Sequence, residues 1–168
     1  MIFAFCSFSN FTVFAQNSNV TISTSATSGG SWSPATGNSV SYVFTPSANN
    51  VTINVADITN RLNSNYSNVT ILTACNTCTQ DGIVTIGTAI NADANGNNAR
   101  LFKIQAASDI NVNNAISLAN SLNNNYYNTH ALELNSTNGD INLLATVRTQ
   151  PYSTNNVTGT AYFSGSIT

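Results

Sequence analysis

The sequence predicts an all-β fold, a right-handed parallel β-helix with an irregular N-terminal β segment. Three observations carry that prediction. The first is a nine-residue phrase, Gly139-Asp140-Ile141-Asn142-Leu143-Leu144-Ala145-Thr146-Val147, which reads small, any, β-branched apolar, polar, apolar, three variable, apolar. It begins again at Gly82 (with Val84, Ile86, Ile90), at Ser108 (with Ile110, Val112, Ile116) and at Gly159 (with Ala161, Phe163, Ile167). The second is a tetrapeptide, Asn19-Val20-Thr21-Ile22, identical at 50–53 and 68–71 and nearly so at Ile83-Val84-Thr85-Ile86. The third is composition: 42% hydrophobic residues but only 6% charged, in a background of Asn, Ser and Thr. Self-similarity at a period of a few tens of residues marks a solenoid. A β-sandwich is the alternative, because a few alternating strands can also pair as hairpins.

The 168 residues fit one domain with enough apolar content for a core. That content argues against a disordered chain. Ion pairs cannot organise a chain with so few charges. Arg61, Arg100, Lys103 and Arg148 are scattered and the net charge is −2, so no basic stripe exists to bind nucleic acid or an anionic membrane.

Taken in order, residues 1–15 run apolar up to Val13-Phe14-Ala15 before Gln16, as at the end of a secretory signal peptide. No Lys or Arg precedes the apolar part, so the signal is expected to be truncated at its start. A buried first strand is the other reading. The stretch is too short and too broken by Ser and Asn for a membrane-spanning helix. Residues 16–48 are expected to form an irregular β segment capping the stack. They hold the only Trp, Trp32, which fits a buried anchor better than a sugar platform. Residues 49–168 are then the β-helix repeats, expected to continue beyond Ile167-Thr168 in a longer chain.

Within the repeats, Ile58 and Leu62 lie four apart behind Asp57, a spacing for about one or two helical turns with Asp57 as the cap. Cys75-Asn76-Thr77-Cys78 follows a strand, and in an exported chain such a pair is expected to form a local disulfide. A redox role would want a helix N-terminus beside it, and a zinc site a second pair. From Gly82 onward each phrase but the last is preceded by a further strand, at Val69–Ile71, Leu101–Ile104 and Leu132–Leu134. Insertions at 91–98 and 117–129 vary the spacing without disturbing strand register, as solenoid loops do.

Stacking explains why such strands fold. Each shows only two or three apolar residues inward, so it is buried only when equivalent positions lie one on another. The expected columns are Val84, Ile110, Ile141 and Ala161; then Ile86, Val112, Leu143 and Phe163; then Ile90, Ile116, Val147 and Ile167. At about 25 cal/mol per Å2, each buried Ile or Val contributes about 1.5–3 kcal/mol. Asn111 and Asn142 occupy matching polar positions, where amides can bond along the stack.

The phrase at Ser108–Ile116 and Gly139–Val147, the Asn-Val-Thr-Ile strands and the Ile58–Leu62 turn before one of them together resemble the large secreted adhesins of the filamentous haemagglutinin kind, over about residues 50–168. The resemblance implies a right-handed β-helix, export, and projection from a cell surface to bind glycans or matrix. The segment 28–48 departs from that pattern.

Candidate sites are few, since the chain has six carboxylates and one histidine. Tyr126 and Tyr127, set among asparagines, resemble a saccharide-contact loop and are the first choice for ligand binding. Asp109 and Asp140 share a repeat position, with Asp81 nearby; they are a weak Ca2+ candidate, since that ion wants six to eight oxygens, and Asp accepting turn N–H groups is the stronger reading. Lys103 and Glu133 fall at comparable outward places, and a surface pair there adds little. His130 has no triad-like company, and a glycosidase needs two carboxylates across a cleft, whereas Asp57, Asp93 and Glu133 share no repeat position. No cofactor is expected. The expectation is a non-enzymatic secreted or cell-surface adhesin segment. Its alternatives are a β-helix polysaccharide lyase or hydrolase, and an ice-binding solenoid suggested by Thr52, Thr70 and Thr85.

Overall fold

Alternation of β-branched apolar and small polar residues makes strands with one face to bury, and the chain buries them by winding. The computed structural model describes residues 16–33, 40–64, 67–93, 100–119, 130–149 and 160–168. It is a parallel β-solenoid of about 4 turns, with 59% strand and one helix among the described residues. The chain passes repeatedly over three faces. The first is built from β1 (Val20–Ser23), β4 (Val51–Asn54), β6 (Val84–Ile86), β9 (Ile110–Val112) and the C-terminal parts of β11 (His130–Leu143) and β13 (Thr160–Ile167). The second holds β2 (Gly30–Trp32), β3 (Val40–Pro46), β5 (Ser67–Leu72), β8 (Arg100–Ala106) and the N-terminal parts of β11 and β13. The third holds β7 (Ile90–Asp93), β10 (Ile116–Ala119) and β12 (Val147–Arg148).

Register puts like residues on like. On the first face Val51, Val20, Val84, Ile110, Ile141 and Ile167 form one column, and Ile53, Ile22, Ile86, Val112 and Leu143 the next. On the second, Phe44, Ile71, Ile104, Leu134 and Phe163 are stacked, beside Tyr42, Val69, Phe102, Leu132 and Ala161. Ile90, Ile116 and Val147 stack on the third. These columns are the core, and their central members are fully buried. Among the described strand pairs β2–β3 alone is antiparallel, so the chain is not a sandwich of hairpins.

The last phrase departs from the expected columns. Ala161 and Phe163 stack on Leu132 and Leu134 of the second face, and Ile167 stacks on Ile141 of the first. The cause is a shorter corner: β11 takes from Leu134 to Ile141 to turn between faces, whereas β13 turns between Phe163 and Ile167, with the register shift at Asn135/Asp140 and Gly165 at φ +136°. The glycines that open two of the phrases have a physical reason as well. A Cβ on Gly139 would lie 2.3 Å from Asp109 Oδ1 and 2.6 Å from its backbone N. Gly82 sits at φ +83° and faces Asn17, Thr73 and Ala107 at under 3 Å, a conformation and a space that suit only glycine.

The helix α1 (Val55–Asn63) is longer than one or two turns and is capped by Asn54, whose side chain accepts from the Ala56 backbone N at 2.8 Å. Asp57 lies instead in the first turn. There its carboxylate accepts from the Thr27 hydroxyl and faces Arg61 at 3.8 Å. Asn54 is favoured because it ends β4 in an extended conformation, with its oxygen poised over the first free N–H groups. The helix buries Ile58 and Leu62 and packs on β5 and β7, covering an edge of the third face.

Residues 20–23 and 40–46 of the segment expected to be irregular are regular strands of the coils. The capping is done by residues 28–32. Ser28 exchanges backbone bonds with Thr52 (2.9 and 3.3 Å), and β2 runs antiparallel to β3. One stretch thus pairs with the edge strands of two faces. Trp32 anchors it, edge-on to Phe44 at 5.1 Å, with the Arg61 guanidinium 4.2 Å over its ring and 5.2 Å from that of Tyr42. β1 lies elsewhere: β4 and β6 are successive passes over the first face, yet β1 is hydrogen-bonded between them.

Candidate functional site

The sequence-predicted ligand loop at Tyr126 and Tyr127 lies outside the described residues. His130 opens β11, in register with Arg100. Asp109 and Asp140 do come together, but as parts of one corner: Asp109 Oδ1 accepts from the Asp140 backbone N at 2.9 Å. This carboxylate serves the turn of the next coil. Asp57, Asp109 and Glu133 are dispersed over the helix, a corner and the second face. Among the described residues no group of three or more His, Cys, Asp or Glu is placed to hold a metal ion. Cys75 and Cys78 are joined in a disulfide with a Cα–Cα distance of 5.4 Å, both side chains buried.

What the fold does assemble is a largely polar surface on the outside of the second face. Alternate residues of its strands point inward to the columns above, so the residues between them point out. By register, Val43, Thr70, Lys103, Glu133 and Tyr162 form one outward row. Leu72, Gln105, Asn135 and Ser164 form the adjoining row. Neighbouring strands are about 4.8 Å apart, so each row presents functional groups at a fixed pitch. Lys103 Nζ meets Glu133 Oε1 at 2.7 Å. Tyr162, 61% exposed, stands beside Glu133 on the next strand. A phenol ring, a carboxylate, an ammonium and two side-chain amides therefore share one sheet face.

Such a face suits recognition of a hydroxyl-rich molecule. The ring offers an apolar face to C–H groups, while the amides and the ion pair supply donors and acceptors. Glu133 is the one carboxylate in these two rows, whereas glycosidic cleavage takes a pair flanking the bond. Lys103 and Glu133 were legible as outward positions in the sequence. Tyr162 was not singled out there, although Ala161 and Phe163 inward oblige it to face out.

On the outside of the first face the row Thr52, Thr21, Thr85, Asn111 and Asn142 is neutral. The Asn142 amide donates to Asn111 Oδ1 at 2.7 Å, and the Thr168 hydroxyl donates to Asn142 Oδ1, so the amide ladder expected from the repeats is present. Thr52, Thr21 and Thr85 occupy consecutive strands of this face. Thr70 lies on the second face, in register with Val43 and Lys103. No described helix is long and apolar enough to cross a membrane. Compared with protein-family models, curated proteins and solved structures, the chain gives no match.

Proposed function

We propose that this chain is a non-enzymatic segment of an exported, cell-surface β-helical adhesin that contacts glycans through the outside of its second face. The observation that carries the reading is the row Lys103–Glu133–Tyr162 with Gln105 and Asn135 alongside, a set of sugar-compatible groups on one sheet face. The adhesin architecture rests on the parallel β-helix and on the repeated phrase. Tyr126 and Tyr127 shortly precede β11 in the sequence.

A glycan-array screen of the purified chain tests this. Binding that falls at least tenfold in Tyr162→Ala is expected, with Tyr126→Ala/Tyr127→Ala reporting whether the loop shares the ligand. Absence of any glycan ligand, or binding indifferent to Tyr162, would sink the reading. Export is tested separately. Expressed with its own N-terminal region in a secreting host, the mature chain should begin at Gln16 by mass spectrometry.

An ice-binding role draws on the Thr52–Thr21–Thr85 column. Against it, the next outward positions on those strands are Asn54, Ser23 and Gly87, and the following strands carry Asn111 and Asn142. A hydroxyl lattice three strands long is short for that task. Thermal hysteresis in the purified chain would favour it over adhesion.

A further inference from the structure

Among the described strands β1 pairs with β4 and β6, and residues 24–29 lead from it towards β2. Its lead-in is gripped by the 73–83 connection between β5 and β6. Asn17 bridges Ala74 and Gln80, both antiparallel. Cys75 N donates to Gln16 O at 2.9 Å, Gln80 N to Asn17 O at 2.9 Å, and Ser18 N to Thr73 O at 2.8 Å. The Gln80 side chain reaches further, its Oε1 accepting from the backbone N of Asn19 (2.9 Å) and of Asn50 (2.8 Å). Asn19 Oδ1 in turn accepts from Gly82 N and Ile83 N at 3.1 and 2.9 Å. The equivalent corner between β8 and β9 needs only residues 107–109. The longer connection is thus a clasp around Gln16–Asn19, and the Cys75–Cys78 disulfide closes it at the point where it holds Gln16. Cys75, Asn76 and Thr77 also line a cavity of about 360 Å3 with Thr45, Pro46 and Leu72.

We propose that the Cys75–Cys78 disulfide is a redox latch on β1. Oxidised, the clasp holds β1 seated between β4 and β6. Reduced, the clasp loosens and β1 leaves that position while the coils from β8 onward stay folded. The co-reactant is a dithiol. One of its thiolates attacks a cystine sulfur, forming a mixed disulfide and expelling the other cysteine as a thiolate that takes up a proton. The second thiol of the reductant then displaces the first cysteine, so the reductant departs as a disulfide and two thiols remain on the protein. This inference rests on the threading of the chain and not on the glycan reading.

Amide hydrogen exchange on the full chain, oxidised and then reduced with dithiothreitol, tests it. The amides of Val20, Val51 and Gly87, which bond across the β1 position to Ile83, Asn19 and Ile22, should exchange at least tenfold faster on reduction. Those of Ile116 and Leu144, bonded to Thr146 and Val112, should keep their protection. The Cys75→Ser/Cys78→Ser chain should show the same pattern without reductant, which covers incomplete reduction. Unchanged exchange at β1 in both the reduced and the serine chains overturns the proposal. So does an equal loss of protection everywhere, since the disulfide would then stabilise the whole and latch nothing.

Discussion

Ile110 has Val84 on one side and Ile141 on the other, and no solvent exposure. Replacing it with Ala opens a cavity in the middle of a column, so a loss of about 2–5 kcal/mol is expected in urea denaturation. Thr85→Ala, one residue along the neighbouring strand but facing outward, should change stability by less than ~0.5 kcal/mol. A comparable cost at both sites would mean that inside and outside have been exchanged. Asn142→Ala removes a rung of the amide ladder and is expected to cost about 1 kcal/mol by the same measurement. Much at this scale was readable in advance. The pairing of Asn111 with Asn142 follows from their shared repeat position, and so does the burial of Ile110 and Ile141. The cap of the helix was not readable: Asp57 and Asn54 are both good capping residues. What decides between them is that β4 runs straight into the helix, a tertiary fact.

At the scale of elements, α1 replaces a strand, and its stability depends on where it starts. Asn54→Ala leaves the Ala56 N–H without its acceptor and should cost about 1 kcal/mol, read as a lower midpoint at unchanged slope in urea. An unchanged midpoint would show that the end of β4, and not the cap, fixes the helix start. β13 shows why the last phrase was misregistered by sequence alone. Its apolar spacing matches the others, but spacing along the chain cannot reveal that a corner falls between Phe163 and Ile167. β1 shows a deeper limit. The tetrapeptides at 19–22 and 50–53 are identical, which says that the two strands are interchangeable in register. It does not say in which order they stack, because order is set by the path of the chain between them.

For the whole molecule, aliphatic columns carry the stability and charge is marginal. Among the described residues the ion pairs are Arg61–Asp57 at 3.8 Å and Lys103–Glu133 at 2.7 Å. Raising salt from ~0.05 to ~0.5 M should therefore move the unfolding free energy by less than ~1 kcal/mol, since exposed pairs are weak and screened. A larger drop would place more of the stability in electrostatics than the columns allow. Most of the pairing is parallel and long-range, so refolding should be slow for a chain of this size. Stopped-flow fluorescence of Trp32, which is packed on Phe44 under Arg61, reports when that end closes. The stretch at residues 28–32 gives the rod a polarity. Since it pairs antiparallel with the edges of β3 and β4, it takes up the backbone bonds that a further parallel winding would need on that side. Lengthening by duplication of a unit such as 108–138 is open in one direction only, and every such elongation would leave the sealed base unaltered.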